Sequence, residues 1–214
     1  MRHCLWFLPF LVACTSTPEI EEATPRVIEA LRLREAKDLD GAIREARAAI
    51  EEDPEAIRPR WLLSCFLEEK GDLEGAFRAV QEIVAVHPTF LAGANRMGEI
   101  LVLTGRREDA ARCFRACLDG DPRWVPALVN LGAMAVEDGR AEEALDLLGR
   151  AVRIAPDHGP ARLQLANAWS LSGRPEEARR EVEAAIACPD LPPHLAEQAR
   201  LFLADRRPTS DPGR

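Results

Sequence analysis

Between residues 125 and 158, apolar positions fall at Leu128, Leu131 and Ala135, stop at Asp138-Gly139-Arg140, and resume at Ala144, Leu145, Leu148, Ala151 and Val152. Steps of three and four residues put each set on one face of an α-helix, and the polar, glycine-containing break predicts a tight turn between two helices. The pattern returns at a fixed step along the chain. Prolines stand at 54, 88, 122 and 156, alanines at 42, 76, 110, 144 and 178, and glycines at 71, 105, 139 and 173, each 34 residues after the last. An acidic residue keeps the same step as Asp40, Glu74, Glu108, Glu142 and Glu176. Such a period predicts stacked copies of one helix pair, since a single pair cannot bury its apolar face alone.

Five repeat units follow, 23–56, 57–90, 91–124, 125–158 and 159–192, with no insertion or deletion between them. Glycine after the first helix permits the positive φ that ends it. The acid near the start of the second helix meets the positive end of the helix dipole, and the recurring alanine marks a close helix crossing. Proline at the end of a unit stops the second helix, while Pro25, Pro59, Pro126, Pro160 and Pro193 stand near the start of the next, where a missing N–H costs little. Residues 193–206 predict one more amphipathic helix, with Leu195, Ala199 and Phe202 toward the fifth unit and Glu197, Gln198 and Arg200 toward water. Its expected role is to cap the open end of the stack. The tail 207–214 has no apolar pattern and reads as disordered.

The period and its small-residue positions resemble the tetratricopeptide repeat (TPR) family from residue 23 to about 206. The fourth unit carries Leu131-Gly132, Gly139, Ala144, Ala151 and Pro156 at the family's spacing. The first departs most, with Lys37 in place of the turn glycine and Glu29 in place of the usual leucine; the fifth carries Pro189 one residue early. Leu33, Leu67 and Leu101 fill first-helix slots that are aromatic in the family, and Trp169 is the exception. The resemblance implies an all-α fold, a right-handed superhelical solenoid of five helix-turn-helix units plus a C-terminal capping helix.

In this family the first helices line a concave face that binds a peptide or protein segment. Carried onto this chain, the partner-binding face is Arg58, Trp61 and Glu68 from the second unit, Asn95, Arg96 and Glu99 from the third, Asn130 from the fourth, and Gln164 and Asn167 from the fifth. Amide side chains donate and accept at once, which suits the backbone of an extended peptide. Asn95, Asn130 and Asn167 make a broken version of the asparagine ladders of some relatives; the alternative is that they are solvated polar residues without a role. Trp61 and Arg96 are of the types that dominate interface hot spots, although an inward-facing Trp61 fits packing equally well. The carboxylate clamp of some eukaryotic relatives is disfavoured, because Val27, Leu31 and Leu62 occupy places it needs and only Arg96 fits it.

Ahead of the repeats, residues 1–14 read MRHCLWFLPFLVAC. The nine apolar residues Leu5 to Ala13 are too few to span a bilayer, which takes about 20, but match the apolar core of a signal peptide. Leu11-Val12-Ala13-Cys14 resembles the lipobox of bacterial lipoproteins, which implies a signal peptide 1–13, cleavage before Cys14, and acylation of its thiol and new amino group. More than one acyl chain gives stable anchoring. Residues 14–22 would then be the acylated cysteine and a short tether, and the ten residues 15–24 reach at most about 36 Å. Thr15, where an Asp would retain the protein, implies the outer membrane, with the chain facing the periplasm. The alternative is an ordinary secretory signal and a soluble periplasmic or secreted module that regulates a cell-wall enzyme.

Composition agrees with the helical reading: 47% of the 214 residues are hydrophobic, yet only 5% are aromatic and none is tyrosine. The 36 acidic against 28 basic residues, net −8, have the wrong sign for a nucleic-acid binder. His3, His87, His158 and His194 have no metal-ligand spacing, and no phosphate-binding or nucleophile motif occurs. The expectation is an interaction scaffold of the bacterial envelope that is not an enzyme and uses no cofactor or metal. Anchor plus repeats is similar to TPR lipoproteins that assist pilus secretin or outer-membrane barrel assembly. Cys117 takes the place of Ala49, Ile83, Ala151 and Ala185 and reads as a small buried hydrophobe. A bond between units stays open for Cys65, Cys113, Cys117 and Cys188.

Overall fold

In the computed structural model, which describes residues 24–205, the helices follow the apolar periodicity. One compact part contains α1 (Pro25–Glu35), α2 (Leu39–Glu52), α3 (Ile57–Glu69), α4 (Leu73–Val86), α5 (Leu91–Leu103) and α6 (Arg107–Gly120). A second contains α7 (Val125–Glu137), α8 (Ala141–Ile154), α9 (Gly159–Leu171), α10 (Pro175–Ile186) and α11 (Pro193–Asp205). No strand occurs among the described residues. The signal segment 1–13, Cys14 with its tether, and the tail 207–214 lie outside them.

Turn chemistry sets the helix ends. Gly71, Gly105, Gly139 and Gly173 have φ of +89°, +76°, +75° and +75°, the left-handed region that closes a helix. In the first pair Lys37 occupies that position with φ +63°, the only positive φ at a described residue other than glycine. The turn still closes normally there: Lys37 N–H donates to Arg34 O and Asp38 N–H to Leu33 O, both at 2.9 Å.

The second helices begin in two ways. Asp38 and Asp72 accept from the N–H of Gly41 and Gly75 at 2.8 Å, capping α2 and α4. In α6, α8 and α10 an arginine stands at the cap, Arg106, Arg140 or Arg174, with no side-chain cap bond. Each instead pairs with the acid three residues on, Asp109, Glu143 or Glu177. The carboxylate offsets the positive helix end, and the guanidinium neutralises the carboxylate.

Packing is governed by small residues that recur on the same 34-residue step, Ala30, Ser64, Gly98, Gly132 and Ala166, all buried. A Cβ on Gly98 would lie 2.4 Å from the Phe114 ring, and one on Gly132 2.5 Å from Leu148, so first and second helices touch there through a bare backbone. In the first part the core joins Val27, Ala42, Ala46, Phe66, Val80 and Ile100. In the second, Ala166, Ala178 and Val182 meet Ala199 of α11, with Phe202 packed beside them. Gln198, read as facing water, is half-buried with its Oε1 sealed and without a partner, because α11 lies against α10 with this edge turned inward. No described helix is long and apolar enough to cross a membrane.

Candidate functional site

Successive first helices lie near enough for a long side chain on one to reach the next. Arg96 on α5 bonds through Nη2 to Glu68 of α3, and through Nη1 to Glu99 Oε2 at 3.1 Å. Asn95 Nδ2 donates to Glu99 Oε1 at 2.8 Å. Four of the residues expected on the binding face therefore form one polar network.

Trp61 belongs to a different environment. Its ring meets Phe90 edge-on at 6.1 Å and packs with Ile57, Cys65 and Ile83, and its indole N–H has no partner. Arg58 is half-buried in the first turn of α3.

Within the second part, Gln164 and Asn167 are neighbours one turn apart on α9, and Asn167 Nδ2 donates to Gln164 Oε1 at 3.2 Å. Asn130 is half-buried on α7. The three asparagines therefore do not act alike: Asn95 serves a carboxylate and Asn167 an amide.

Of the residues expected on the partner-binding face, Trp61, Asn95, Arg96, Gln164 and Asn167 are buried, so the alternative of solvated polar residues does not hold for Asn95 and Asn167. The cause is visible in their contacts, since first-helix side chains of this length engage each other and the adjoining helix. The sequence reading also missed a pocket where α9, α10 and α11 meet, bordered by Gln164, Asn167 and Gln198. The signal available for it was Gln198, polar among the inward-facing Leu195, Ala199 and Phe202.

No described group of three or more His, Cys, Asp or Glu could hold a metal ion. Cys113, Cys117 and Cys188 are free thiols. Cys117 is fully buried under α5, with its Sγ 3.5 Å from Leu91 O, and burial pushes its thiol up to about 11. Cys113 is raised too, by burial and then by Asp109.

Helix pairs closed by left-handed turns, with small residues at every crossing, define a helical-repeat protein. Models of the tetratricopeptide repeat match residues 29–89, 95–159 and 135–204, and the chain belongs to the tetratricopeptide repeat family. It is similar in fold to TTC0263, a thermophilic TPR protein of Thermus thermophilus, at 20% identity and TM-score 0.68, covering 84% of this chain and 97% of that one. PilW, a widely conserved type IV pilus biogenesis factor, is similar at 17% identity and TM-score 0.66, over 87% of this chain and 94% of that one. YrrB, a TPR protein with an unusual peptide-binding site, is similar at 19% identity and TM-score 0.56, over 84% and 92%. No curated protein sequence matches the chain.

Proposed function

We propose that this chain is a protein-binding scaffold, tethered to a bacterial envelope membrane by lipid on Cys14, whose first helices hold a peptide or protein segment. The observation that carries the binding half is the concentration of polar groups on those helices. Arg96, Glu68, Glu99 and Asn95 in one part, and Gln164 and Asn167 in the other, are hydrogen-bonded polar side chains on first helices. Amide and charged side chains of this kind suit the backbone and polar groups of an extended peptide, which favours a role in recognition.

The anchoring half rests on Leu11-Val12-Ala13-Cys14. Likeness in fold to a pilus biogenesis factor supports an envelope role, and likeness to a TPR protein with a peptide-binding site supports peptide as the ligand class. The best-supported setting is assembly of an envelope, secretion or pilus complex in the outer membrane, with the chain facing the periplasm.

Expression of the full chain in a lipoprotein-processing diderm bacterium, followed by mass spectrometry of the mature amino terminus, tests the anchor. The expected terminus is Cys14 carrying a diacylglyceryl group and an amide-linked acyl chain. Retained Met1, or an unmodified Cys14, overturns it, and recovery in osmotic-shock fluid then favours the soluble periplasmic module.

A further inference from the structure

A larger cleft lies in the first part, apart from the Arg96 network, where α2 meets the turn between α3 and α4. Its volume is about 540 Å³, within the range of small-ligand sites. Ile43 and Leu67, both buried, give it an apolar wall, and the exposed side chains of Arg44, Arg47 and Lys70 stand around it with those of Asp40 and Asp72. Three cations against two carboxylates leave one surplus positive charge, in a chain whose net charge is −8.

These charged groups differ in what they have left to offer. Asp72 is committed to capping α4, accepting from Gly75 N–H at 2.8 Å. Lys70 donates to Asp40 Oδ1, and this bond, then the charges of Lys70 and Arg44, holds the Asp40 carboxyl below its ordinary range. Asp40 Oδ2 remains an acceptor toward the cleft. Arg44 and Arg47, three residues apart on one face of α2, make no hydrogen bond or ion pair with a described residue. Two uncommitted guanidiniums beside an apolar wall suit an anion that carries carbon. A single surplus charge suits a monoanion, because Asp40 and Asp72 repel a ligand with several negative groups.

We propose that this cleft holds the headgroup of an anionic phospholipid, a glycerol phosphodiester, and gives the tethered chain a second contact with the membrane. The phosphodiester oxygens accept from Arg44 and Arg47, whose planar guanidiniums match phosphate geometry. A glycerol hydroxyl donates to Asp40 Oδ2, and the glycerol carbons lie along Ile43 and Leu67. The proposal rests on the anchored reading above, since acylated Cys14 would hold the first unit within about 36 Å of the bilayer. At that range even a weak site fills, because a short flexible tether sets an effective concentration of roughly mM. Headgroup binding then turns this edge of the first unit toward the lipid.

The test is NMR titration of the full chain, made by cell-free synthesis so that it carries no acyl group, with dihexanoyl-phosphatidylglycerol as the probe. The signals read are the guanidinium N–H groups of Arg44 and Arg47 and the backbone N–H of Gly71, which also lines the cleft. Saturable shifts at all three are expected, and none from dihexanoyl-phosphatidylcholine, which controls for lipid taken up by the apolar residues 5–13. Affinity read at Gly71 should fall about tenfold in Arg44→Gln with Arg47→Gln, two exposed positions where glutamine preserves the helix. Absence of saturable shifts, an equal response to the two lipids, or unchanged affinity in the double variant overturns the site. Inorganic phosphate binding as tightly as phosphatidylglycerol, or shifts from acetyl-Glu-Leu-Glu-amide alone, overturns the lipid assignment. Phosphatidylglycerol binding together with an unmodified Cys14 in the cell would uphold the cleft while the anchor falls, and an acylated Cys14 without such binding would do the reverse.

Discussion

Arg96 on α5 donates to Glu99 Oε2 at 3.1 Å on its own helix while its other terminal nitrogen reaches Glu68 on α3, 28 residues earlier in the chain. With the Arg96 side chain 3% exposed, the pair ties two successive first helices together in a setting where desolvation cancels much of the Coulomb attraction. Its value is therefore positional more than energetic. Losing only one member is another matter, because it leaves buried charge unpaired.

Arg96→Met is expected to destabilise the chain by roughly 3 kcal/mol, since Glu68 and Glu99 would then lose the guanidinium that joins them. Combining it with Glu68→Gln should recover part of that loss, with a coupling of at least about 1 kcal/mol in a double-mutant cycle. Urea denaturation checks both, and strictly additive losses would contradict the network.

Lys37→Gly should stabilise the first helix pair. A side chain at φ +63° carries a steric cost of about 1–2 kcal/mol, while glycine's freer unfolded chain takes back roughly 0.4–1, so the net gain is up to about 1.6 kcal/mol. Gly71→Ala should show the opposite sign in the same thermal denaturation series.

The small-residue column makes paired predictions of opposite sign. Ser64 is 1% exposed with its hydroxyl unpartnered, so Ser64→Ala is expected to be neutral or stabilising by about 1 kcal/mol. Gly132→Val would drive a side chain into Leu148 and should cost about 2–3 kcal/mol. Chemical denaturation midpoints of the two variants measure both.

Cys117 should resist alkylation at pH 8 while unfolding exposes it. Its folded thiol lies near 11 against an ordinary 9.0, so above pH 9 the unfolded state releases its proton first and the native state holds one more. Stability attributable to this thiol is full below pH 9 and falls as pH rises toward 11. Cys117→Ala should remove that part of the pH dependence, which denaturation across pH 8–11 would show.

The helices and their turns were readable in the sequence because they depend on local chemistry repeated at one step. Gly139 ends a helix through its own φ, and Glu142 meets a helix dipole within its own turn. Burial of Arg96 or Gln164 was not readable, because it depends on how closely neighbouring helices approach. Gln198 shows the same limit. Three residues of spacing place it beside Leu195, but only the pose of α11 against α10 decides whether it meets water.

The most direct test of the scaffold is site-specific photo-crosslinking in the bacterial cell, with the photoreactive residue at Arg58 or Asn130 on first helices and at the exposed Arg78 or Arg115 on second helices. A scaffold that binds through its first helices gives one discrete protein adduct from Arg58 and Asn130 and none from Arg78 and Arg115. Adducts from the second-helix positions alone, or equally from all four, would contradict it.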